Sequence, residues 1–185
     1  MDPSSQGGVV LPLSDVRRRL AFALILVIAF GSSLVFSVPP PVLQAIAKQF
    51  GGGHAGEFNA QFGSTAPSLG WLIGGVLSGW VLARLGRRPV IIAAIIGLGL
   101  FGSIGAVLPS PAAFIASRLA LGFSVAFGIT ACVTLLADIY DDRARPKMIG
   151  YMKAMASGAA LPIGLSSGAL AQLIDWRAPF AEYAI

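Results

Sequence analysis

The amino-acid sequence predicts an all-α membrane protein, a bundle of transmembrane helices with five complete spans and the start of a sixth. Only 11% of its 185 residues are charged, whereas a soluble domain carries about 25%. So few charges cannot cover a water-facing surface, and the mean hydropathy of +0.80 agrees. Five stretches without charge are long enough to cross the hydrocarbon core of a bilayer, which takes about 20 residues in a helix.

The charge-free stretches place the spans in order. The first, residues 20–47, contains a span that is expected to end near Val38, just before three prolines. Because it exceeds the roughly 7–15 apolar residues typical of a signal peptide, a true span is favoured over a cleaved leader. The next four spans lie within residues 58–83, 89–117, 119–137 and 154–174, and a sixth begins at Ala178.

The basic residues predict the orientation of the chain. Ten Lys or Arg residues lie in the N-terminal segment and in alternate loops, against two, Lys48 and Arg177, on the opposite side. Because basic loops stay in the cytoplasm, the N-terminus is expected there. Residues 1–16 are predicted to be a cytoplasmic tail and residues 17–185 the membrane domain. The longest outside segment, residues 39–60, is glycine-rich and is expected to be a flexible, solvated loop that exposes His54 and Glu57.

Small residues recur at spacings that let membrane helices approach each other closely. The predicted packing positions are Gly122 in span four and Gly158, Gly164 and Gly168 in span five. Pro162 lies among the latter and should kink the helix, because proline removes a backbone donor. The spacing leaves open whether these positions form a static contact or a surface that moves during function.

Composition also excludes several functions. Cys132 and His54 are the only residues of their types, so an intrachain disulfide or a site with several histidines is impossible, and no metal or cofactor is expected. The net charge is +5. The basic residues behind it lie between apolar runs and not on one face, so the expected partner is a lipid bilayer and not nucleic acid. No span contains the His or the pair of Asp residues that an intramembrane protease would need, so the protein is predicted not to be an enzyme.

The loop between spans two and three carries the most specific motif, Gly79-Trp-Val-Leu-Ala83-Arg84-Leu-Gly86-Arg87-Arg88. It resembles the signature loop of the major facilitator superfamily, in which Gly is followed four positions later by Asp and then by Arg-x-Gly-Arg-Lys/Arg. Gly79, Arg84, Gly86, Arg87 and Arg88 match the pattern, while Ala83 stands where the family has Asp. The resemblance implies that this loop latches a cytoplasmic gate, with the missing carboxylate either lost or replaced by another, such as Asp138 or Asp142.

Two further segments carry the resemblance. Arg118-Leu-Ala-Leu121-Gly122 matches the Arg-x-x-x-Gly with which the family begins span four. Residues 175–180, Asp-Trp-Arg-Ala-Pro-Phe, are similar to the Gly-Trp-Arg-x-Pro-Phe segment of drug-exporter-like members. A charge at membrane depth is costly and marks function by default, although an Arg near a helix end can snorkel to the interface. The resemblance implies that Arg118 takes part in proton coupling.

The protein implied by the resemblance is a proton-coupled secondary transporter of small solutes in the inner membrane, working by alternating access. This chain would form most of its N-terminal half, and a C-terminal half or a partner chain would complete the substrate cavity. Cavity-facing candidates in span one are Phe30, Ser32, Ser33 and Phe36, with ordinary helix packing as the alternative. The aromatics and the Trp-Arg-x-Pro-Phe segment favour efflux over uptake. The alternative to a transporter is a truncated or half-size membrane subunit without transport activity of its own.

Overall fold

A computed structural model describes residues 15–184 of the chain, with side chains described for residues 18–183. Its helices are α1 (Asp15–Ser37), α2 (Pro39–Gln49), α3 (Gly53–Leu85), α4 (Arg87–Ile104), α5 (Pro111–Ile139) and α6 (Arg145–Leu173), followed by a 3-10 helix (Ala178–Ala184). All of the α-helices except α2 are long and apolar enough to cross a membrane. The predicted all-α membrane bundle with five spans is therefore confirmed.

The prediction of a flexible loop over residues 39–60 is wrong, because most of this segment is helical. Pro39 begins α2, and prolines are tolerated there since the first backbone N–H groups of a helix have no intrahelical partner. The glycines at 51, 52 and 53 all have positive φ, of 99°, 64° and 57°. Only glycine adopts such angles at no steric cost, so the glycine run makes the tight turn between α2 and α3.

The boundary between the third and fourth spans also differs from the prediction. Ile104 ends α4, and α5 begins at Pro111, eight residues before the predicted start of span four at residue 119. The Ser110 hydroxyl caps α5 by accepting from the backbone N–H of Ala113 at 3.2 Å, and Pro111 fits the first helical position. A charge-free stretch cannot reveal this turn, because its residues are as uncharged as the helices beside it. The shift puts Arg118 two turns inside α5.

The centre of the bundle is α5, which packs against α3 on one side and α4 on another. Two glycines bring α3 and α5 into backbone contact. A Cβ atom added at Gly122 would collide with the carbonyl oxygen of Pro67, and one added at Gly70 would collide with that of Leu119. Small residues thus let the backbones of α3 and α5 approach each other closely, as expected for helices that associate in lipid.

The remaining helices enclose this centre. The main neighbour of α6 is α1, and the 3-10 helix lies against α4 and α6. One apolar cluster joins the outer halves of α1 and α5 to α2 and the 3-10 helix, through residues such as Val38, Phe114 and Phe180. A second cluster, including Ile28 and Cys132, lies toward the cytoplasmic ends. The bundle therefore positions the start of α5 beside the 3-10 helix, where the candidate site lies.

Candidate functional site

Arg118 is the largest fully buried side chain in the described part of the protein. It lies on α5, seven residues after Pro111, and its relative exposure is 0%. At a rise of 1.5 Å per residue this is about 10 Å from the helix end. The side chain does not reach the water interface, so the snorkelling alternative does not describe this structure. A buried cation at this depth needs compensation from its surroundings.

Backbone carbonyls of α4 supply part of that compensation. Nη2 of Arg118 donates to the carbonyl oxygen of Gly102 at 2.9 Å and to that of Phe101 at 3.4 Å. The other two nitrogens, Nε and Nη1, are buried and have no hydrogen-bond partner among residues 18–183. Neither ion pair found in that range involves Arg118. The guanidinium is thus a buried cation with unused donors.

Three aromatic rings surround the guanidinium. The Cζ atom of Arg118 lies 5.1 Å from the ring centre of Phe114, 5.0 Å from that of Phe180 and 5.6 Å from that of Tyr183. Each distance is within the range of a cation–π interaction, which is strongest where water is excluded. Tyr183 is also buried, and its hydroxyl donates to the carbonyl oxygen of Leu34 in α1 at 2.9 Å. The arginine site therefore ties α1, α4, α5 and the 3-10 helix together.

Glycines make room for this site, and sequence reasoning missed them. A Cβ atom at Gly105 would collide with the Arg118 guanidinium, and one at Gly102 would collide with the ring of Tyr183. One at Gly63 would meet the ring of Phe114. The glycines at 97, 99, 102 and 105 were the available signal, since a glycine-rich segment lets neighbouring side chains approach the backbone closely.

The loop of the sequence motif lies at the opposite end of the bundle. Gly86 alone separates α3 from α4, with φ of 78° and ψ of 171°, and its N–H donates to the carbonyl oxygen of Leu82 at 3.0 Å. This backbone conformation is essentially restricted to glycine. Gly79 lies on an open side of α3, where an added Cβ would meet nothing within 4 Å. Backbone geometry therefore requires a glycine at position 86, in the turn, but not at position 79.

The arginines of this loop have different partners. Arg87 forms an ion pair with Asp138 at the end of α5, and both line a cavity of about 520 Å³ together with Ala83. Arg84 stacks on Trp80, with Cζ 4.2 Å from the ring centre, and Arg88 is exposed. Asp142 instead pairs with Arg145 at 3.2 Å. Of the two carboxylates considered as replacements for the missing Asp, Asp138 is thus the one that contacts the loop.

The span-one residues do not form one surface. The hydroxyls of Ser32 and Ser33 are buried. The Ser32 hydroxyl donates to the carbonyl oxygen of Ala29 at 2.7 Å, and the Ser33 hydroxyl contacts the carbonyl oxygen of Ala156 in α6. Phe30 and Phe36 are exposed, and the ring of Phe36 lies 5.7 Å from that of Trp71 in α3. The serine contacts correspond to helix packing, the alternative that the sequence left open. The two phenylalanines remain available to a cavity.

Of the predicted packing glycines in α6, Gly158 and Gly164 face away from the described helices. An added Cβ at Gly158 or Gly164 would meet nothing within 4 Å, and one at Gly168 would make an ordinary contact of 3.8 Å with Pro41. Pro162 lies inside α6. Close packing within residues 18–183 is therefore observed for Gly122 but not for these three positions, whose packing role stays a prediction.

A second cavity, of about 730 Å³, opens between α2 and α3 near the outer side. Its polar lining includes Lys48, His54 and Glu57. His54 and Glu57 are exposed, as expected, although they lie in the first turns of α3 and not in a loop.

Comparison with known proteins identifies several relatives. The family model described as "Major Facilitator Superfamily" matches residues 25–185. The arabinose-proton symporter of Escherichia coli K12 is 32% identical over 118 residues, covering 63% of this chain and 25% of the symporter. The class C tetracycline resistance protein of Escherichia coli is 30% identical over 160 residues, covering 85% of this chain and 38% of that protein.

Among solved structures, the major facilitator proton:xylose symporter XylE bound to 6-bromo-6-deoxy-D-glucose superimposes with a TM-score of 0.71 at 17% identity. The match covers 90% of this chain and 42% of XylE. At this identity the likeness concerns the fold. The chain spans between a quarter and two fifths of the length of the two sequence relatives.

Proposed function

This chain belongs to the major facilitator superfamily, and we propose that it forms the N-terminal part of a proton-coupled secondary transporter of small solutes in the inner membrane. A second set of helices, from a C-terminal half or a partner chain, would complete the cavity, and rocking of the two halves would expose it to each side in turn. The first relative described above is a sugar-proton symporter by name, and the proposal includes no enzyme activity.

The observation that carries this proposal is the burial of Arg118 inside a membrane-spanning helix. Ionisable residues at such positions are rare in membrane proteins and mark substrate or ion pathways. The structure has no carboxylate within ion-pair distance of this guanidinium among residues 18–183, so an ion pair within this part of the bundle does not account for it. We assign Arg118 to proton coupling because its permanently charged side chain lies where α1, α4, α5 and the 3-10 helix meet.

The proposed role of Arg118 is to position and not to carry the proton, since a guanidinium is not deprotonated in proteins. Its charge and its contacts with Gly102 and Tyr183 would make the packing of α4, α5 and the 3-10 helix sensitive to any change in nearby charge. A proton bound or released close by is such a change. Coupling would then arise because the electrostatic interaction of Arg118 with its surroundings differs between the two conformations of the transporter.

The proposed cytoplasmic latch consists of Gly79, Arg84, Gly86, Arg87 and Arg88, with Asp138 supplying the carboxylate. Support comes from the Arg87–Asp138 ion pair, which holds the α3–α4 turn against the end of α5. The open side of α3 at Gly79 and that of α6 at Gly158 and Gly164 would admit close approach by the second half. Phe30 and Phe36 would face the cavity between the halves.

The proposal is tested by transport into membrane vesicles that contain the naturally expressed protein. The probes are arabinose, xylose and tetracycline, taken from the names of the relatives and of the solved structure. An imposed pH gradient should drive accumulation or extrusion of at least one probe, and a protonophore should abolish it. Arg118→Ala should abolish the proton-driven movement while the protein still inserts. Normal transport by that variant would exclude Arg118 from coupling.

The alternative is a half-size subunit without transport activity of its own. Its only support is that the chain covers a small fraction of each relative's length. Immunoblotting of the protein's own membranes with an antibody against residues 1–16 would measure its mass. A band near twice the 19.0 kDa of these residues supports one polypeptide with both halves. With a band at 19.0 kDa, the transporter proposal holds only if two copies of the chain, or the chain and a separate partner, can be crosslinked into one complex.

A further inference from the structure

Glu182 is a carboxylate that no sequence motif singled out, and it lies in the 3-10 helix next to Tyr183. Its Oε1 accepts from the hydroxyl of Ser166 at 3.0 Å, and its Oε2 accepts from that of Ser167 at 2.9 Å. Both serines belong to α6, and Ser167 is fully buried. One side chain thus receives two hydroxyl donors from a neighbouring membrane helix.

The position of these serines places the carboxylate within the membrane-spanning part of the bundle. Ser166 lies seven residues before Leu173, the last residue of α6, which corresponds to about 10 Å along the axis. With 29 residues α6 exceeds the roughly 20 needed to cross the hydrocarbon core. Arg118 lies a similar distance from the outer end of α5. The carboxylate and the buried guanidinium are therefore at about the same depth.

We propose that Glu182, held between Ser166 and Ser167, is the group that binds and releases the coupled proton. This inference rests on the proposed proton-coupled function and names the proton site within it. Arg118 cannot be that site, because a guanidinium keeps its protons. Of the other acidic side chains in residues 18–183, Asp138, Asp141 and Asp142 lie at the cytoplasmic end, and Glu57 and Asp175 lie at the outer ends of helices.

The hydrogen bonds around Ser166 accommodate both forms of the carboxyl group. Its hydroxyl has one hydrogen but two acceptors within reach, Oε1 of Glu182 at 3.0 Å and the carbonyl oxygen of Ile163 at 3.0 Å. When the carboxylate is charged, Ser166 donates to it. When a proton binds to Oε1, the new O–H donates to Oγ of Ser166, whose own hydrogen turns to the carbonyl of Ile163. The proton is gained or lost without any polar atom losing its partner.

Few charges surround this group. The titratable neighbour on its own element is Tyr183, whose ring centre lies 5.6 Å from Cζ of Arg118 on α5. The charged residues of α1, α4 and α6 with described side chains all lie in the cytoplasmic halves of their helices, namely Arg18, Arg19, Arg87, Arg88, Arg145, Lys147 and Lys153. Asp175 and Arg177 precede the 3-10 helix. Among the described residues, the link from Glu182 to Arg118 therefore runs through the neighbouring Tyr183, which contacts Arg118.

Infrared difference spectra of the purified, naturally expressed protein, recorded between acid and neutral pH, test the proposal without a known substrate. The wild type should show a carboxylic C=O band that is absent from Glu182→Gln and unchanged in the control Glu57→Gln. Ser166→Ala should shift this band, because the acid loses its acceptor. A band that is the same in Glu182→Gln and wild type would overturn the proposal. If Glu182→Gln fails to fold, an unshifted band in both Ser166→Ala and Ser167→Ala overturns it.

Vesicle transport separates this proposal from the function on which it rests. Glu182→Gln should lose accumulation driven by a pH gradient but keep exchange of labelled for unlabelled probe, which needs no net proton movement. Accumulation at the wild-type level would overturn the role of Glu182. If the wild type itself moves no probe in response to a pH gradient, the proposed function fails, and the infrared band still decides whether Glu182 binds a proton.

Discussion

The guanidinium of Arg118 donates to the carbonyl oxygen of Gly102 across the α4–α5 interface, with Nη2 and O 2.9 Å apart. Gly105, directly after α4, has no side chain to occupy this space, so the cation lies against the backbone at the end of α4. A helix carbonyl is a dipole and not a full charge, and desolvation of the cation is only partly offset. The arginine site is therefore maintained at some cost in stability.

Replacing Arg118 with Met should separate stability from function. Met has a similar length and no charge, so the variant should unfold at the same temperature as the wild type or higher, since a desolvated cation with unused donors is removed. Proton-driven transport should nevertheless be lost. Thermal unfolding in detergent and vesicle transport are the two measurements. A variant that is strongly destabilised would mean that the aromatic and carbonyl contacts more than compensate the buried charge.

Gly105→Ala should interfere with Arg118 directly, because the new Cβ would occupy the position of the guanidinium. In the wild-type background we expect a loss of about 1–3 kcal/mol in the free energy of unfolding, as for other overpacked interiors. In an Arg118→Ala background the same substitution should cost much less, since the space is then empty. The double-mutant cycle measures this difference. Equal effects in both backgrounds would show that the two residues do not meet.

The approach of α3 to α5 gives a prediction with a matched control. Gly122→Ala should destabilise the bundle by about 1–3 kcal/mol, because its Cβ would meet the carbonyl of Pro67, which cannot rotate away. Gly150→Ala, near the start of α6 and facing open space, should be neutral or stabilising by up to about 1 kcal/mol, since Ala favours a helix over Gly. Thermal unfolding of the two variants makes the comparison. Similar losses for both would argue against backbone contact between these helices.

The membrane class and the spans could be predicted because they depend on local composition. Residues 58–83 and 154–174 are recognisable as spans from their lack of charge alone. The error over residues 39–60 has a physical cause: Pro39 and Gly51 are typical of both loops and helix ends. Burial of the α2 side chains Val42 and Ile46, which depends on contacts distant in sequence, favours the helix.

The site was only partly predictable for the same reason. Arg118 could be singled out as a lone charge in an apolar stretch, but its neighbours Gly102 and Tyr183 are brought together by folding and share no local pattern with it. Glu182 was overlooked because a single acid four residues after the predicted start of the sixth span resembles an interfacial residue until its serine partners in α6 are known.

The Arg87–Asp138 ion pair gives a final prediction about the cytoplasmic end. Asp138→Asn should reduce transport, because the α3–α4 turn would no longer be held against α5 in one of the two conformations. The exchanged pair Arg87→Asp with Asp138→Arg should restore part of the activity, because the attraction depends on opposite charges and not on their order. Since Arg87 is nearly half exposed, its contribution to stability should stay within about 0.2–1 kcal/mol and decrease with added salt.

The control for this prediction is the more exposed pair Asp142–Arg145, in which the carboxylate side chain is 74% exposed. Asp142→Asn should leave transport unchanged, because this pair joins residues three apart in one segment and does not connect two helices. Initial rates in vesicles at low and high salt compare the variants. If Asp138→Asn and Asp142→Asn behave alike, or if the exchanged pair is no more active than Asp138→Asn, the ion pair has no role in the latch. Ala83 would then mark a transporter that works without a carboxylate at this position.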